Sequence, residues 1–177
     1  MNEAMNENIL DDRVEEKRSA VRRYLQTIVY GGLCVGVLDG SAATTHAALK
    51  GMTPDRVFHY VASGLIGRDA SYSGGAATIV LGILLHFVIA FGVVTVFFFL
   101  SRSFPVLLRR AVLVGMVYGI AVYFVMAYLI VPLSAVPRTP FSFSGMITGI
   151  VIHMFCVGLP TALIVRSMSR NRLEAER

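Results

Sequence analysis

Hydrophobic residues in this chain gather into four long blocks, each broken off by polar or turn-forming residues. The blocks cover approximately 24–48, 76–100, 111–131 and 143–165. Each holds about 20–25 residues, enough to cross a hydrocarbon layer of ~30 Å at ~1.5 Å per residue. The pattern predicts an all-α fold, a bundle of four transmembrane helices. Between the first two blocks, Thr53-Pro54-Asp55 supplies an N-cap, an N1 proline and a first-turn acid. Val57, Phe58, Val61 and Leu65 then form a modest apolar face. A short helix over about 53–66 is expected, lying at the membrane surface or dipping in as a partial lid. Pro132, Pro137 and Pro140 predict a stiff, extended loop before the fourth block, and Gly158-Leu159-Pro160 a kink or stop within it.

Charge turns these blocks into a topology. Twelve of the sixteen Lys and Arg residues lie before the first block, between the second and third, or after the fourth. Only Lys50, Arg56, Arg68 and Arg138 occupy the other two loops. The positive-inside bias therefore places both termini in the cytoplasm. Residues 1–23 carry six acids and five bases, with Leu10, Val14, Val21 and Leu25 at helical spacing. They read as a short amphipathic surface helix after a disordered start, or as a solvated charged tail. The segment lacks the apolar core and cleavage site of a signal peptide, so the first block is expected to stay as an anchor. Residues 166–177 form a cytoplasmic tail.

Composition agrees: 55% of the 177 residues are hydrophobic and 15% charged, against a soluble globular domain. The net charge of +5 is explained by topology and anionic lipid, without nucleic acid. Cys34 and Cys156 both fall in apolar blocks and read as small hydrophobes. The run Val96–Leu100 reads as lipid-facing.

Small residues mark where helices approach. Gly32, Gly36 and Gly40 share one face of the first block, Gly115 and Gly119 one of the third, and Gly145 and Gly149 open the fourth. Gly82 accompanies His86 as Gly149 accompanies His153, in the related words GILLHF and GIVIHM. With Gly32/Gly36 matching Gly115/Gly119, this suggests a duplicated helical hairpin, a parallel repeat of the kind some transporters use. The same grooves permit a homo-oligomer or a membrane-complex partner.

Four ionisable residues stand out within the blocks. Asp39 lies ~14 Å from the periplasmic end of its helix by residue count, and His86 and His153 each ~15 Å. His46 follows Asp39 by one heptad on the same stripe. Such groups face protein or water rather than lipid, so convergence of Asp39, His86 and His153 near the midplane is expected. Three readings stay open. The residues satisfy one another and fix packing; they relay protons or serve a small carrier; or His86 and His153 ligate a haem b, as in bundle cytochromes. Thr44, Thr45, His46, Lys50 and His59 are placed around a periplasmic vestibule, and Ser71 and Ser73 in a loop or cap. No catalytic residue and no metal site is predicted, since no HExxH, CxxC, phosphate-binding loop or nucleophile elbow occurs. The reading is of a membrane protein more readily than an enzyme, a small carrier or a structural subunit.

The motifs GGLxxGxLDG, PxRVxxxVASGLIGR, GGAATxxLGxxLHFxIAFG, VPLSAVPRTPFS and GxxIHxxxVGLP span residues 25–165. On these the chain resembles small multi-pass bacterial inner-membrane proteins of uncharacterised function and, more distantly, the YagU-type membrane proteins. Its first loop is shorter than theirs and less acidic and aromatic. The resemblance implies a bacterial inner membrane and four helices, and transfers no functional residue.

Overall fold

A computed structural model describes residues 2–136 and 140–169, with side chains from Arg13 onward. Pro137, the Leu10 side chain and the tail beyond residue 169 lie outside the described residues. All regular structure among the described residues is helical, and four helices are long and apolar enough to cross a membrane.

The first helix, α1 (Asn2–Leu49), is a single element of 48 residues. At ~1.5 Å per residue it is ~72 Å long, over twice the hydrocarbon thickness. The charged segment is thus continuous with the first span, in one helix. No glycine or proline interrupts it before Gly31, and the Ser19 and Thr27 hydroxyls bond back to Glu16 O and Arg23 O, both at 2.8 Å. Tyr24 marks the boundary of its apolar part, with its ring 5.3 Å from Phe98 and the Arg102 guanidinium 4.4 Å above it.

Gly51, at φ +74°, turns the chain out of α1, a conformation that costs a residue lacking Cβ little. α2 (Asp55–Ile66) begins two residues later than Thr53. The Thr53 carbonyl accepts from Arg56 N at 3.1 Å, in a turn preceding the helix. α2 does more than lie at the surface: its Phe58 backbone rests on Gly82, leaving no room there for a Cβ. Gly82 is ~10 Å along α4 (Gly75–Ser103) from its start, so α2 dips to that depth. Between them α3 (Arg68–Ser73) is a helical turn where a loop was expected.

α5 (Val106–Arg109) leads into the third span, made of α6 (Ala111–Val125), a π-helical turn (Met126–Ile130) and α7 (Val131–Leu133). Pro132 therefore lies in a final helical turn, not in an extended loop. Pro140 precedes the fourth span, where the Ser142 hydroxyl accepts from Gly145 N at 3.2 Å. That span comprises α8 (Phe143–Ile152), a π-helical turn (His153–Gly158) and α9 (Leu159–Met168). Each π turn ends two residues before a proline. The proline lacks an N–H for the regular ladder, and wide turns are one way such helices absorb the loss.

α1 packs on α4 on one side and on α8–α9 on another, and α6 packs against α8–α9. The dry core lies toward the termini: Val35, Val94, Phe97, Ala111, Ala162 and Val165 are all at most 1% exposed. Within the aromatic run of α4, Phe97 and Phe98 point into this core while Val96, Phe99 and Leu100 face outward. The run is divided, not uniformly lipid-facing.

Candidate functional site

Toward the opposite end the bundle parts around a cavity of ≈ 470 Å³. Asp39, Ala43, His46, Ala47 and Lys50 line it from α1 and the turn after it, recurring every three or four residues as one helical stripe does. The fourth span contributes Gly145, Thr148, Gly149, Ile152 and His153, whereas Arg56, Val57 and Tyr60 of α2 and Tyr72 of α3 complete the wall. Asp39 lies ten residues before the end of α1 and His153 ten after the start of α8. Both are thus ~15 Å in, at the floor. Lys50 and Arg56 stand at the mouth, at the junction of α1 and α2.

The floor groups are available for chemistry. Asp39 is half-buried, and among the described residues the one ion pair is between His59 and Asp55, so its carboxylate has no cationic partner there. Nδ1–H of His153 donates to Gly149 O at 2.9 Å, which leaves Nε2 for another partner. The edge of His153 meets the Tyr123 ring at 5.5 Å and 77°. Higher up, burial and the neighbouring Tyr72 push the Tyr60 hydroxyl above its ordinary range, so it keeps its proton and can donate to a ligand.

His86 does not join this group. Its Nε2–H donates to Gly36 O at 2.9 Å, and the ring sits over Gly40, with Phe58 and Phe87 at 6.5 and 5.7 Å. It fastens α4 to α1 on the glycine face. Asp39 precedes Gly40 by one residue and so lies about 100° around α1 from it. The expected Asp39–His86–His153 centre thus separates into a cavity with Asp39, His46 and His153 and a packing contact made by His86. The His86 Nε2 is engaged with a carbonyl inside a helix contact, while His153 lines the cavity.

The expected vestibule is partly present. His46 and Lys50 line it, but the Thr44 hydroxyl bonds back to Gly40 O at 2.8 Å. His59 is buried, stacked on Tyr72 at 5.3 Å, with Nδ1 3.1 Å from Thr78 Oγ1. Thr78 donates to Ser71 O at 2.7 Å, and Ser71, fully buried, donates to His59 O at 2.5 Å. This closed network holds α2 and α3 against α4. Sequence reasoning placed Ser71 in a loop or cap and passed over Thr78, whose only signal is a hydroxyl at the start of an apolar block. Gly145 also differs from expectation: a Cβ there would meet only its own cap residue Ser142, at 3.5 Å. It borders the cavity and packs no helix. No protein-family model, curated protein or solved structure matches this chain.

Proposed function

We propose that this chain is a multi-pass protein of a bacterial inner membrane, both ends cytoplasmic, that carries a small solute in step with protons. The membrane and its sidedness are supported by the four apolar helices, by the distribution of Lys and Arg and by the resemblance to small inner-membrane proteins. The observation that carries the transport reading is the asymmetry of the bundle. Asp39 and His153 line a cavity near one end of the bundle, whereas one turn further along α1, toward the other end, the side chain of Val35 is 1% exposed. A solute site accessible from one side and sealed from the other is what alternating access requires of one of its two states. A carboxylate and an imidazole lining that cavity are side-chain types able to exchange a proton with a bound solute.

Proteoliposomes holding a pH dye test this. Under an inward proton gradient with charge compensation, vesicles containing the protein should acidify faster than empty ones when solute is supplied. Asp39→Asn should reduce that rate at least tenfold. Equal acidification by protein-free vesicles, the wild type and Asp39→Asn across amino acids, carboxylates and amines removes the transport reading.

A further inference from the structure

The cavity carries its charges in order along its length. Its one acid, Asp39, lies ten residues in from the end of α1 and its permanent bases, Lys50 and Arg56, at the α1–α2 junction; between them Ala43, Ala47, Val57 and Ile152 give apolar surface beside His46 and Tyr60. Asp39 and Lys50 are eleven residues apart on one stripe, ~16 Å along the helix axis, and the long basic side chains shorten the gap between charges. A small anion is drawn to the mouth but repelled by the floor. A cation is drawn to the floor and repelled at the mouth. A molecule with an anionic group at one end, an apolar stem and an ammonium at the other meets attraction at both ends and apolar wall between. We infer that the cavity binds an elongated zwitterion, an ω-amino acid or short peptide, ammonium inward at Asp39 and carboxylate outward at Lys50 and Arg56. Two features support an occupant of this kind: among the described residues Asp39 lacks a cationic partner, and Tyr60 offers a hydroxyl along the way.

This inference takes the cavity of the carrier reading as a binding site, yet it is tested without transport. Purified full-length protein in detergent is titrated calorimetrically with 6-aminohexanoate, hexanoate, hexylammonium and glycine. The zwitterion of matching length should bind at least tenfold more tightly than the other three. Asp39→Asn should remove the advantage over hexanoate, weakening 6-aminohexanoate and, if anything, tightening hexanoate. Lys50→Gln combined with Arg56→Gln should remove the advantage over hexylammonium. Asp39→Glu, which keeps the charge, serves as control if the Asn variant does not fold, and should keep the preference while favouring a shorter stem. Hexanoate or hexylammonium binding as tightly as 6-aminohexanoate overturns the inference, as does an absence of binding by all four. Proton-linked flux without zwitterion preference leaves the carrier and removes this inference; zwitterion binding without flux does the reverse.

Discussion

In the hairpin of α1 and α4, the glycines of the first helix receive side chains. Phe91 covers Gly32, Phe87 covers Gly36 and His86 covers Gly40. In the hairpin of the third and fourth spans, the glycines of the third span receive mainly backbone: Gly115 lies under Gly158 and Leu159 beside the Ala162 Cβ, and Gly119 under His153 and Met154. The π-helical turn His153–Gly158 is the segment laid into that groove, and Gly158 in turn meets the Gly115 carbonyl and the Gly119 backbone. Both hairpins thus place a histidine beside a glycine of the preceding span, as the repeated sequence words suggest. They differ in what fills the groove. An aromatic ring can rotate away from an intruding methyl group, but a helix backbone moves only as a whole. Helix association in lipid rests on such close packing, because the surrounding chains are as apolar as the helices themselves.

The largest expected effect follows from that difference. Alanine at Gly119 would collide with the His153 carbonyl, and the fourth span would have to withdraw, at a cost of about 2–3 kcal/mol. Alanine at the matched Gly36 would displace the Phe87 ring, at about 1 kcal/mol. In detergent thermal denaturation this corresponds to a loss of about 5–10 °C for Gly119→Ala and about 2–4 °C for Gly36→Ala. Equal losses, or a larger one at Gly36, would show that the two grooves are equivalent.

The histidines sharpen the same contrast at smaller amplitude. His86→Leu removes a hydrogen bond between two helices and should cost about 1 kcal/mol. His153→Leu removes a bond to Gly149 within the same helix, joins no two elements, and should cost less than half of that. Under the transport reading the consequences for flux run the other way, with His153→Leu inactive and His86→Leu retaining proton uptake. Stability and acidification measured on both variants check the pair. A large stability loss at His153 would move it from the site to the core.

These contrasts also mark what could be read before any coordinates. Helix number and the span limits follow from apolar length, so the three later spans agree with expectation to within three residues at either end. Depth also follows from residue count, which is why Asp39 and His153 share a level. Azimuth does not, because the direction His86 faces depends on which side of α1 accepts α4. Only the seating of Phe87 and Phe91 on the glycines decides that. The stripe of Asp39 and His46 was legible because it lies on one helix. The network of His59, Ser71 and Thr78 was not, since it closes across three helices joined by glycine turns.

The connections within the two hairpins differ as sharply as the grooves. The first inserts α2 and α3 between its helices and lays them along α4, and the fit begins at the Thr53–Asp55 turn. There the Thr53 hydroxyl, helped by nearby His59 and Arg56, holds the Asp55 carboxyl below its ordinary range. A carboxyl held low in the folded state contributes stability that is fully present above its unfolded value near 4 and is lost as the pH falls through the folded value. The group is exposed and the effect is small, so it is read locally. With a ¹³C label on the Asp55 carboxyl, NMR titration of the protein in detergent should give a midpoint below that of a free aspartate. Thr53→Ala should move the midpoint upward while leaving the thermal midpoint at pH 7 within about 1 °C. An unshifted midpoint in Thr53→Ala would assign the low value to the Asp55 backbone N–H, His59 and Arg56 instead of the Thr53 hydroxyl.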